Sequence, residues 1–290
     1  PRSTLALSSA ASDVYKRQIH SILDIKPLSN NENKVNIKDN SIELKNVEFK
    51  YENSKSNAID GISLKIKPNE TIALVGPSGS GKSTLANLIS RFYDIDSGKI
   101  LIGNVNVKDI EKKELMNTIS FVFQNSKLLK TSIYENVKMA KPEATKVEVL
   151  HALHLAQCDD IVQKLPNGID TVIGTKGVYL SGGEEQRINI ARIMLKDSKV
   201  VILDEATAFA DPENEIQVQK AFEELSKNKT VIMIAHRLST IRNVDKIYVL
   251  NNGKIEEEGK HEELLKKNGL YKEMWDNYQT SISWKVGENV

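Results

Sequence analysis

The sequence has one cysteine, no long apolar run and no excess of charge of either sign. A single cysteine, Cys158, among 290 residues excludes an internal disulfide framework and fits a reducing cytosol. No apolar run approaches the roughly 18 residues that span a bilayer, so we expect no part of this chain to cross a membrane. Lys and Arg number 40 against 39 Asp and Glu, and the net charge of +1 provides no broad field for attracting DNA or acidic lipid. Nucleic acid is therefore not an expected partner.

The composition is that of a globular protein, with 40% hydrophobic residues and a length that suits one large domain or two modest ones. Residues 1–18 resemble read-through of a cloning or sequencing adapter, and we exclude them from the predicted fold. Residues 19–40 are predicted to be the end of a helix, stopped at Pro27, and a polar linker. The main domain is placed at residues 41–278, followed by a C-terminal tail at 279–290. No internal repeat is present.

The order of elements in the main domain predicts an α/β fold. SIELKNVEFKY and ISLKIK alternate as half-buried antiparallel strands do, and TIALVG is a short apolar strand that leads through a glycine-rich turn into the helix KSTLANLISRF. A helical part is predicted from about Ser132 to Ala156. Strands VVILD and TVIMIA then flank a helix from Pro212 to Lys227, and KIYVLNNGKIEEEG predicts a hairpin with an Asn-Gly turn.

The glycine-rich turn has the sequence of a P-loop. GPSGSGKS at residues 76–83 satisfies G-x-x-x-x-G-K-[ST] between a predicted strand and helix, which is the context that confirms this motif. Its backbone N–H groups and the helix N-terminus suit phosphate, Lys82 suits the β/γ-phosphates, and the Ser83 hydroxyl suits Mg²⁺. The sequence therefore predicts a site for a nucleoside triphosphate and Mg²⁺.

A second apolar strand ends in two carboxylates. VVILDE at residues 200–205 is typical of a buried central strand that presents acids at its carboxyl end. We expect Asp204 to hold Mg²⁺ through water and Glu205 to orient and polarise the attacking water. Strand-terminal acids often only cap the next helix, but the accompanying P-loop favours a catalytic role.

With these motifs the chain resembles the nucleotide-binding domain of ATP-binding cassette (ABC) transporters over almost all of residues 41–278. The resemblance implies a P-loop NTPase core with an antiparallel β subdomain and an inserted helical subdomain between Gln124 and Ser181. It further implies that His236 contacts the γ-phosphate, that Gln124 contacts Mg²⁺ and the transport domain, and that Asp211 is the acid of the D-loop. The catalytic residues it implies are Glu205, His236 and Lys82, and the Mg²⁺ ligands are Ser83, Gln124 and Asp204. The nucleotide-binding residues it implies are Tyr51, which stacks on adenine, Gly76, Pro77, Ser78, Gly79, Ser80, Gly81, Lys82, Ser83, Thr84, Gln124, Ser181, Gly182, Gly183 and Asp211.

The resemblance also implies how the site is completed. In the family two such domains face head to tail, and the signature motif LSGGE of one closes on the γ-phosphate of ATP held by the P-loop of the other. Most of the family has glutamine where this chain has Glu184, and a full charge about 7 Å from a phosphate would cost roughly 2 kcal/mol at an effective dielectric near 20. Ser181-x-x-Glu184 is also a capping box, in which the carboxylate turns back onto its own helix. We expect the Glu184 carboxylate to form this cap. We also expect the signature motif to bind the phosphate despite the charge of Glu184.

Two further departures concern communication between domains. Thr175 stands where the family's exporters commonly have a glutamate, and Ala208 replaces a serine of the usual D-loop.

Two further segments resemble those of particular transporters. The segment IHSILDIKPL resembles the end of the last transmembrane extension of a half-transporter. The segments ATAFADPENE and LSGGE are similar to the corresponding segments in a subgroup of exporter-shaped transporters that handle siderophores and iron.

Together these likenesses imply the ATP-hydrolysing motor of an ABC exporter-type transporter. Its expected partners are a second ABC ATP-binding domain and a transmembrane domain upstream in a longer polypeptide. Its expected place is the cytoplasmic face of the cell membrane, with the present chain soluble by itself.

Three alternatives stay open at this point. A soluble ABC ATPase of translation would carry two cassettes in tandem, and one of DNA maintenance would carry long coiled coils between P-loop and signature. A regulatory nucleotide-binding module would be expected to lack Glu205 or His236, and both are present. His151, His154 and Cys158 fall near one helical face, but an exposed helix explains them and no fourth metal ligand is evident.

Overall fold

The structure of the chain is a computed structural model that describes residues 28–31, 35–52, 54–123, 127–174, 178–204, 212–235 and 238–287. The chain divides into two compact units, Pro1–Asn30 and Asn31–Val290. The fold given below is that of the second unit.

The described part of the second unit contains both strands and helices. The strands are β1 (Ile42–Phe49), β2 (Ile59–Ile66), β3 (Thr71–Val75), β4 (Ser97–Ile102), β5 (Val105–Asn106), β6 (Ile119–Val122), β7 (Val200–Asp204), β8 (Thr230–Ile234), β9 (Lys246–Asn251) and β10 (Lys254–Gly259). The helices are α1 (Lys82–Ile89), α2 (Lys112–Thr118), α3 (Ile133–Lys138), α4 (Lys146–Leu155), α5 (Asp159–Lys164), α6 (Gly182–Lys196), α7 (Pro212–Ser226), α8 (His261–Lys267) and α9 (Leu270–Gly287). Short 3₁₀ turns lie at Gly168–Asp170 and Leu238–Ile241.

Four strands form an antiparallel sheet in the order β2-β1-β4-β5. Ile42 of β1 pairs with Ile66 of β2 on one side and with Ile102 of β4 on the other. Alternate residues of β1, such as Ile42 and Leu44, are buried while Glu43 and Lys45 are not, which is the pattern of a sheet with one covered face. The predicted antiparallel strands are therefore confirmed.

Six strands form the second sheet in the order β10-β9-β3-β8-β7-β6. Adjacent strands in this sheet are parallel, except that β9 and β10 are antiparallel and form the predicted hairpin. Asn252 and Gly253 in the hairpin turn have φ of 47° and 76°, the positive values that a tight hairpin favours at both positions. Because β3, β8, β7 and β6 run in parallel, their carboxyl ends meet at one edge of the sheet. The P-loop follows β3 at that edge, and Asp204 is the last residue of β7 there.

The central part of the six-stranded sheet is covered on both faces, which explains why strands β9, β3, β8 and β7 are largely apolar without alternation. Ile202 packs in the cluster that includes the antiparallel sheet and α1, whereas its neighbour Val201 packs in the cluster formed with α4, α6 and α7. A third apolar cluster joins β9 to α8 and α9 through Leu264 and Tyr271. The helices between β6 and β7 thus share one apolar cluster with one face of the sheet.

The predicted fold class is confirmed: an α/β core, an antiparallel sheet and helices α3 to α5 inserted before the helix of the signature. Helix α9 continues through residue 278, where the sequence places the end of the main domain, so the boundary at 279 falls within a helix. Most of residues 1–40 lie outside the described ranges, and the assignments made there remain predictions. Within the described ranges, no helix has the length and apolar character needed to cross a bilayer.

Candidate nucleotide-binding site

The P-loop lies between the end of β3 and the start of α1, as predicted. A Cβ added to Gly76 would lie 2.0 Å from the carbonyl oxygen of Leu250, so close backbone contact with β9 requires glycine at this position. A Cβ added to Gly79 would meet nothing within 4 Å, so the loop is open on that side. The loop is therefore fixed against the protein at one end and leaves room for a ligand near its middle.

Lys82 is folded into the loop. Its Nζ donates to the carbonyl oxygens of Gly76 and Pro77, both at 2.9 Å, and to Ser80 Oγ at 3.3 Å. The residue is only 5% exposed. Lys82 is therefore buried within the loop and does not lie at its surface. The carbonyl groups of the loop offer acceptors that an ammonium group prefers to an unpaired position.

The P-loop residues and three more distant residues surround one cavity of about 410 Å³. Its volume is in the range of small-molecule sites. Charge, hydroxyl groups and an aromatic ring meet here, which are the groups that a nucleoside triphosphate with Mg²⁺ requires. The lining residues are Tyr51, Ala58, Ser78, Gly79, Gly81, Lys82, Ser83, Thr84 and Asp204.

Tyr51 is held at the cavity by two aromatic neighbours and one hydrogen bond. Its ring meets Phe49 and Tyr93 edge to face, with centroids 4.8 and 5.5 Å apart. Its hydroxyl lies 3.1 Å from Thr84 Oγ1, which joins the ring to helix α1. A ring fixed in this way can stack on a base without losing side-chain freedom on binding.

Asp204 and Ser83 border the same cavity, so the structure brings together two of the three predicted Mg²⁺ ligands. The oxygen atoms of a carboxylate and an exposed hydroxyl fit the preferences of this ion. Gln124, Glu205 and His236 follow the carboxyl ends of β6, β7 and β8 in the sequence, but they lie outside the described residues, as do Asp211, Thr175 and Ala208.

The signature residues form the start of helix α6. Ser181 is the N-cap, and its Oγ accepts the Glu184 N–H at 3.3 Å, while Glu184 Oε2 accepts the Ser181 N–H at 2.8 Å. The capping box is therefore confirmed, and the Glu184 carboxylate is turned back onto its own helix. Ser181 and Gly182 are exposed, whereas Gly183 is buried.

Gly183 is required by the approach of a second helix. A Cβ added to it would lie 2.7 Å from Cβ of Asn214, in the first turn of α7. Helix α7 begins one residue after Asp211 in the sequence. The signature glycine thus allows the helix behind the predicted D-loop to pack directly on the signature helix.

Lys164, at the end of α5, lies beside the Glu184 carboxylate. Its Nζ is 3.8 Å from Glu184 Oε1 and 3.9 Å from Asp160 Oδ2, with 68% of the lysine side chain and 16% of the glutamate side chain exposed. The sequence does not predict this contact, since no local pattern joins Lys164 to the signature. The positive charge offsets part of the repulsion that Glu184 would exert on a phosphate.

Arg187, three residues further along α6, is a buried anchor. Its guanidinium donates to Asp160 Oδ1 at 2.7 Å, to Asp160 Oδ2 at 3.0 Å, to Asn214 Oδ1 at 3.0 Å, and also to the carbonyl oxygen of Gln157. Burial would raise the pKa of the Asp160 carboxyl, but the hydrogen bonds and charge of Arg187 hold it below its ordinary value. One arginine therefore joins α5, α6 and α7 around the first turn of the signature helix.

The three residues considered as metal ligands do not form such a site. Cys158 is fully buried, and burial raises the pKa of its thiol to about 12. His151 is exposed, and His154 Nδ1 lies 2.6 Å from Asp159 Oδ2. In the described part of the chain, no three His, Cys, Asp or Glu side chains are grouped so as to hold a metal ion.

Comparison with known proteins identifies the family. The sequence profile of the family described as "ABC transporter" matches residues 59–208, a little over half of the chain. The chain belongs to the ABC transporter family. The family predicted from the motifs is confirmed.

Relatives of this ABC domain include exporters. It is 44% identical over 234 residues to YgaD of Bacillus subtilis (strain 168), provisionally named a multidrug export ATP-binding/permease protein, covering 81% of this chain and 40% of that protein. It is also 44% identical over 259 residues to the ATP-dependent lipid A-core flippase of Haemophilus influenzae (strain 86-028NP), covering 89% and 44%. A bacterial Atm1-family ABC exporter solved with ATP bound has 35% identity and a TM-score of 0.82, covering 91% and 46%. The chain thus spans less than half the length of each of these proteins.

Proposed function

We propose that this ABC domain is the ATP-hydrolysing motor of an exporter-type transporter, and that it acts as a head-to-tail dimer with ATP and Mg²⁺ at the interface. The observation that carries the proposal is the single cavity that combines the P-loop, Tyr51 and Asp204. The residues that line it do not include Ser181, Gly182 or Gly183. A signature that stands outside the cavity of its own chain, with Ser181 and Gly182 exposed, supports completion of the site by a second copy or a homologous domain.

The proposed chemistry rests on Lys82, Ser83 and Asp204 at the cavity and, for Gln124, Glu205 and His236, on the resemblance to the family. Lys82 exchanges the loop carbonyls for the β/γ-phosphates, since hydrogen bonds to charged oxygens are stronger than those to neutral ones. Ser83, Asp204 and Gln124 would hold Mg²⁺, and the ion would supply positive charge that neutralises the phosphates. Glu205, directly after β7, orients the attacking water, and His236, two residues after β8, contacts the γ-phosphate.

The wider setting is inferred from the exporters to which the chain is similar. Those proteins are more than twice as long as the match, so we propose a transmembrane domain in the same longer polypeptide and a place at the cytoplasmic face of the membrane. A soluble ABC ATPase of translation or DNA maintenance is not favoured by these relatives. The upstream reading frame tests this setting: transmembrane segments joined in frame before Ile19 would support it, and a stop codon there would contradict it.

Hydrolysis itself is tested by phosphate release from Glu205→Gln. Because general base assistance contributes roughly 10²–10⁴-fold, we expect turnover to fall by at least two orders of magnitude while ATP affinity is kept. Glu143→Gln, which makes the same change at an exposed position on the helical part, is the matched control and should behave as wild type. Equal turnover in the Glu205 variant and the control would remove Glu205 from its proposed role.

A further inference from the structure

We propose that His261 is a proton-sensitive latch: in neutral solution it holds helix α9 against the turn that follows His236, and in acid it releases the helix and slows ATP hydrolysis. The turn is the 3₁₀ segment Leu238–Ile241, which begins two residues after His236. The latch is the set of contacts that His261 makes with Tyr271 and Trp275 of α9. Its effect on hydrolysis rests on the proposed function, in which His236 contacts the γ-phosphate.

His261 is a buried histidine that joins α8 to α9. It is the first residue of α8 and only 5% exposed. Its Nδ1 lies 2.7 Å from the hydroxyl oxygen of Tyr271, and its ring meets that of Trp275 edge to face, with centroids 4.6 Å apart. Because these aromatic side chains keep water from the imidazole, the ring has little of the hydration that its charged form requires.

The aromatic side chains of α9 form one continuous face. They follow each other at intervals of four and three residues, so they lie along one side of the helix: Tyr271, Trp275 and Tyr278. The rings of Trp275 and Tyr278 have centroids 5.8 Å apart. His261 therefore contacts the start of this face, and Tyr278 lies about two helical turns further along.

The far end of this face contacts the turn. Tyr278 donates its hydroxyl to Ser239 Oγ at 2.8 Å, and Arg242, just after the turn, has its Cζ 5.7 Å from the ring centroid of Trp275. The apolar residues of the turn belong to the cluster that α8 and α9 share with β9. Release of α9 would therefore remove these contacts from the segment that follows His236.

The hydroxyl of Tyr271 determines which form of the imidazole fits this site. Tyr271 is fully buried, and burial raises the pKa of its hydroxyl to about 12, so the hydroxyl keeps its proton. Among the described residues, its oxygen has no hydrogen-bond partner other than His261 Nδ1, and we therefore assign this nitrogen as the acceptor of the hydroxyl proton. When the ring is protonated, Nδ1 becomes a donor, and two donors then meet in a buried place.

Burial and charge also act on His261. Burial lowers the pKa of the imidazole, the positive charge of Arg242 lowers it further, and the negative charge of Glu262 on α8 opposes both. On β10, the Glu257 carboxylate accepts the backbone N–H of Tyr271 at 3.4 Å. The docked helix thus favours the neutral ring, whereas a released helix lets the ring take its ordinary pKa near 6.5. Below that value, each unit of pH shifts the balance toward release by up to about tenfold.

Release of α9 should leave nucleotide binding in place. None of the described residues that line the nucleotide cavity belongs to α8, to α9 or to the turn. The effect of acid through His261 should therefore be on turnover, through the segment that contains His236, and not on the affinity for ATP.

The first test measures amide hydrogen exchange in α9 relative to β3 of the same sample, at pH 7.5 and 5.5. The Oε1 atom of the variant His261→Gln accepts the Tyr271 proton, but the amide takes up no proton of its own. We expect the relative protection of α9 to fall by up to about tenfold in wild type and to change less than about twofold in His261→Gln. His151→Gln makes the same change at an exposed histidine, and this control should respond as wild type does.

Tyr271→Phe is a second variant that separates the latch from simple packing. Without the hydroxyl, the neutral ring loses its donor and the protonated ring meets no opposing donor. Protection of α9 should therefore be lower than in wild type at pH 7.5 but fall by a smaller factor on going to pH 5.5. If the hydroxyl has a structural role alone, protection falls by the same factor as in wild type. This variant decides if His261→Gln does not fold.

The second test measures phosphate release at saturating ATP, at the same two pH values. The ratio of turnover at pH 5.5 to that at pH 7.5 should be lower in wild type than in His261→Gln by roughly twofold or more, with equal ATP affinities in the two proteins. Contributions of the active site to the pH profile are common to both proteins and cancel in this comparison.

The outcomes separate the latch from the proposed function. Equal exchange responses in wild type and His261→Gln would overturn the latch. Different exchange responses with equal turnover ratios would show that release of α9 does not reach the ATP site, and the proposal would be wrong. A wild-type protein without turnover at pH 7.5 would contradict the proposed function, and the exchange measurement would then decide on the latch alone.

Discussion

The substitution Glu184→Gln separates a capping role of this residue from a repulsive one. The carboxylate accepts the Ser181 N–H at 2.8 Å and lies 3.8 Å from Lys164 Nζ. A glutamine keeps the acceptor for the cap but loses the charge. The substitution therefore removes two contributions, the interaction with the helix dipole and the ion pair, and leaves the hydrogen bond.

The expected magnitudes of these two contributions are small. The dipole interaction contributes about 0.3–1 kcal/mol. The ion pair adds about 0–0.5 kcal/mol, the low end for surface pairs, because solvent screens a lysine side chain that is 68% exposed. We therefore expect the free energy of unfolding to fall by about 1 kcal/mol and ATP-driven dimerisation to change less than threefold. A carboxylate that faced the phosphate would instead repel it by roughly 2 kcal/mol, and its removal would tighten dimerisation roughly tenfold or more.

The assay is sedimentation with ATP and Mg²⁺ at two salt concentrations, with both proteins in the Glu205→Gln background. Lys164→Met serves as the complementary variant: it should weaken dimerisation at low salt when Glu184 is present and have little effect when Glu184 is replaced by glutamine. A large gain on Glu184→Gln that shrinks as salt screens it would refute the capping account.

Two other predictions follow from buried side chains. Lys82→Ala should abolish ATP binding, as measured by calorimetry; an affinity within a few-fold of wild type would contradict the P-loop assignment. The substitution should also lower the stability of the ligand-free protein by about 1–3 kcal/mol, because three acceptors in the loop lose their donor. Burial lowers the pKa of His261, whose Nδ1 lies 2.7 Å from the Tyr271 hydroxyl, so folding holds the ring neutral and stability should fall as pH drops below the ordinary value near 6.5. Thermal unfolding at pH 7.5 and 5.5 checks this, and a His261→Gln protein that loses as much stability over that interval as wild type would contradict it.

The parts of the molecule that sequence predicts well are those determined by neighbours in the chain. The P-loop and the capping box of Ser181 and Glu184 are local patterns with one favourable geometry, and the hairpin at Asn252 and Gly253 follows from its turn residues alone. Strand β6 is not assigned from sequence because four residues, three of them apolar, do not distinguish a strand from a helix.

The contacts that sequence does not predict join residues far apart in the chain. Arg187 meets Asp160 across 27 positions, and Arg192 meets Asn136 across 56. Periodicity predicts which side of a helix is buried, but it does not predict which polar residue of another element contacts that side. The hydrogen bonds of Lys82 within its own loop are local contacts, but the P-loop motif does not predict them because it specifies residue types and not the partners of the lysine.

The central claim, that the ATP site is formed by the P-loop of one chain and the signature of another, is tested most directly by mixing two inactive variants. Lys82→Ala has no working P-loop, and Ser181→Arg blocks the signature with a bulky cation. A mixed dimer contains one intact site, formed by the P-loop of the Ser181 variant and the signature of the Lys82 variant. The account predicts that each protein alone releases no phosphate and that the mixture recovers ATPase activity in proportion to the mixed dimer formed. A mixture as inactive as its two components would contradict it.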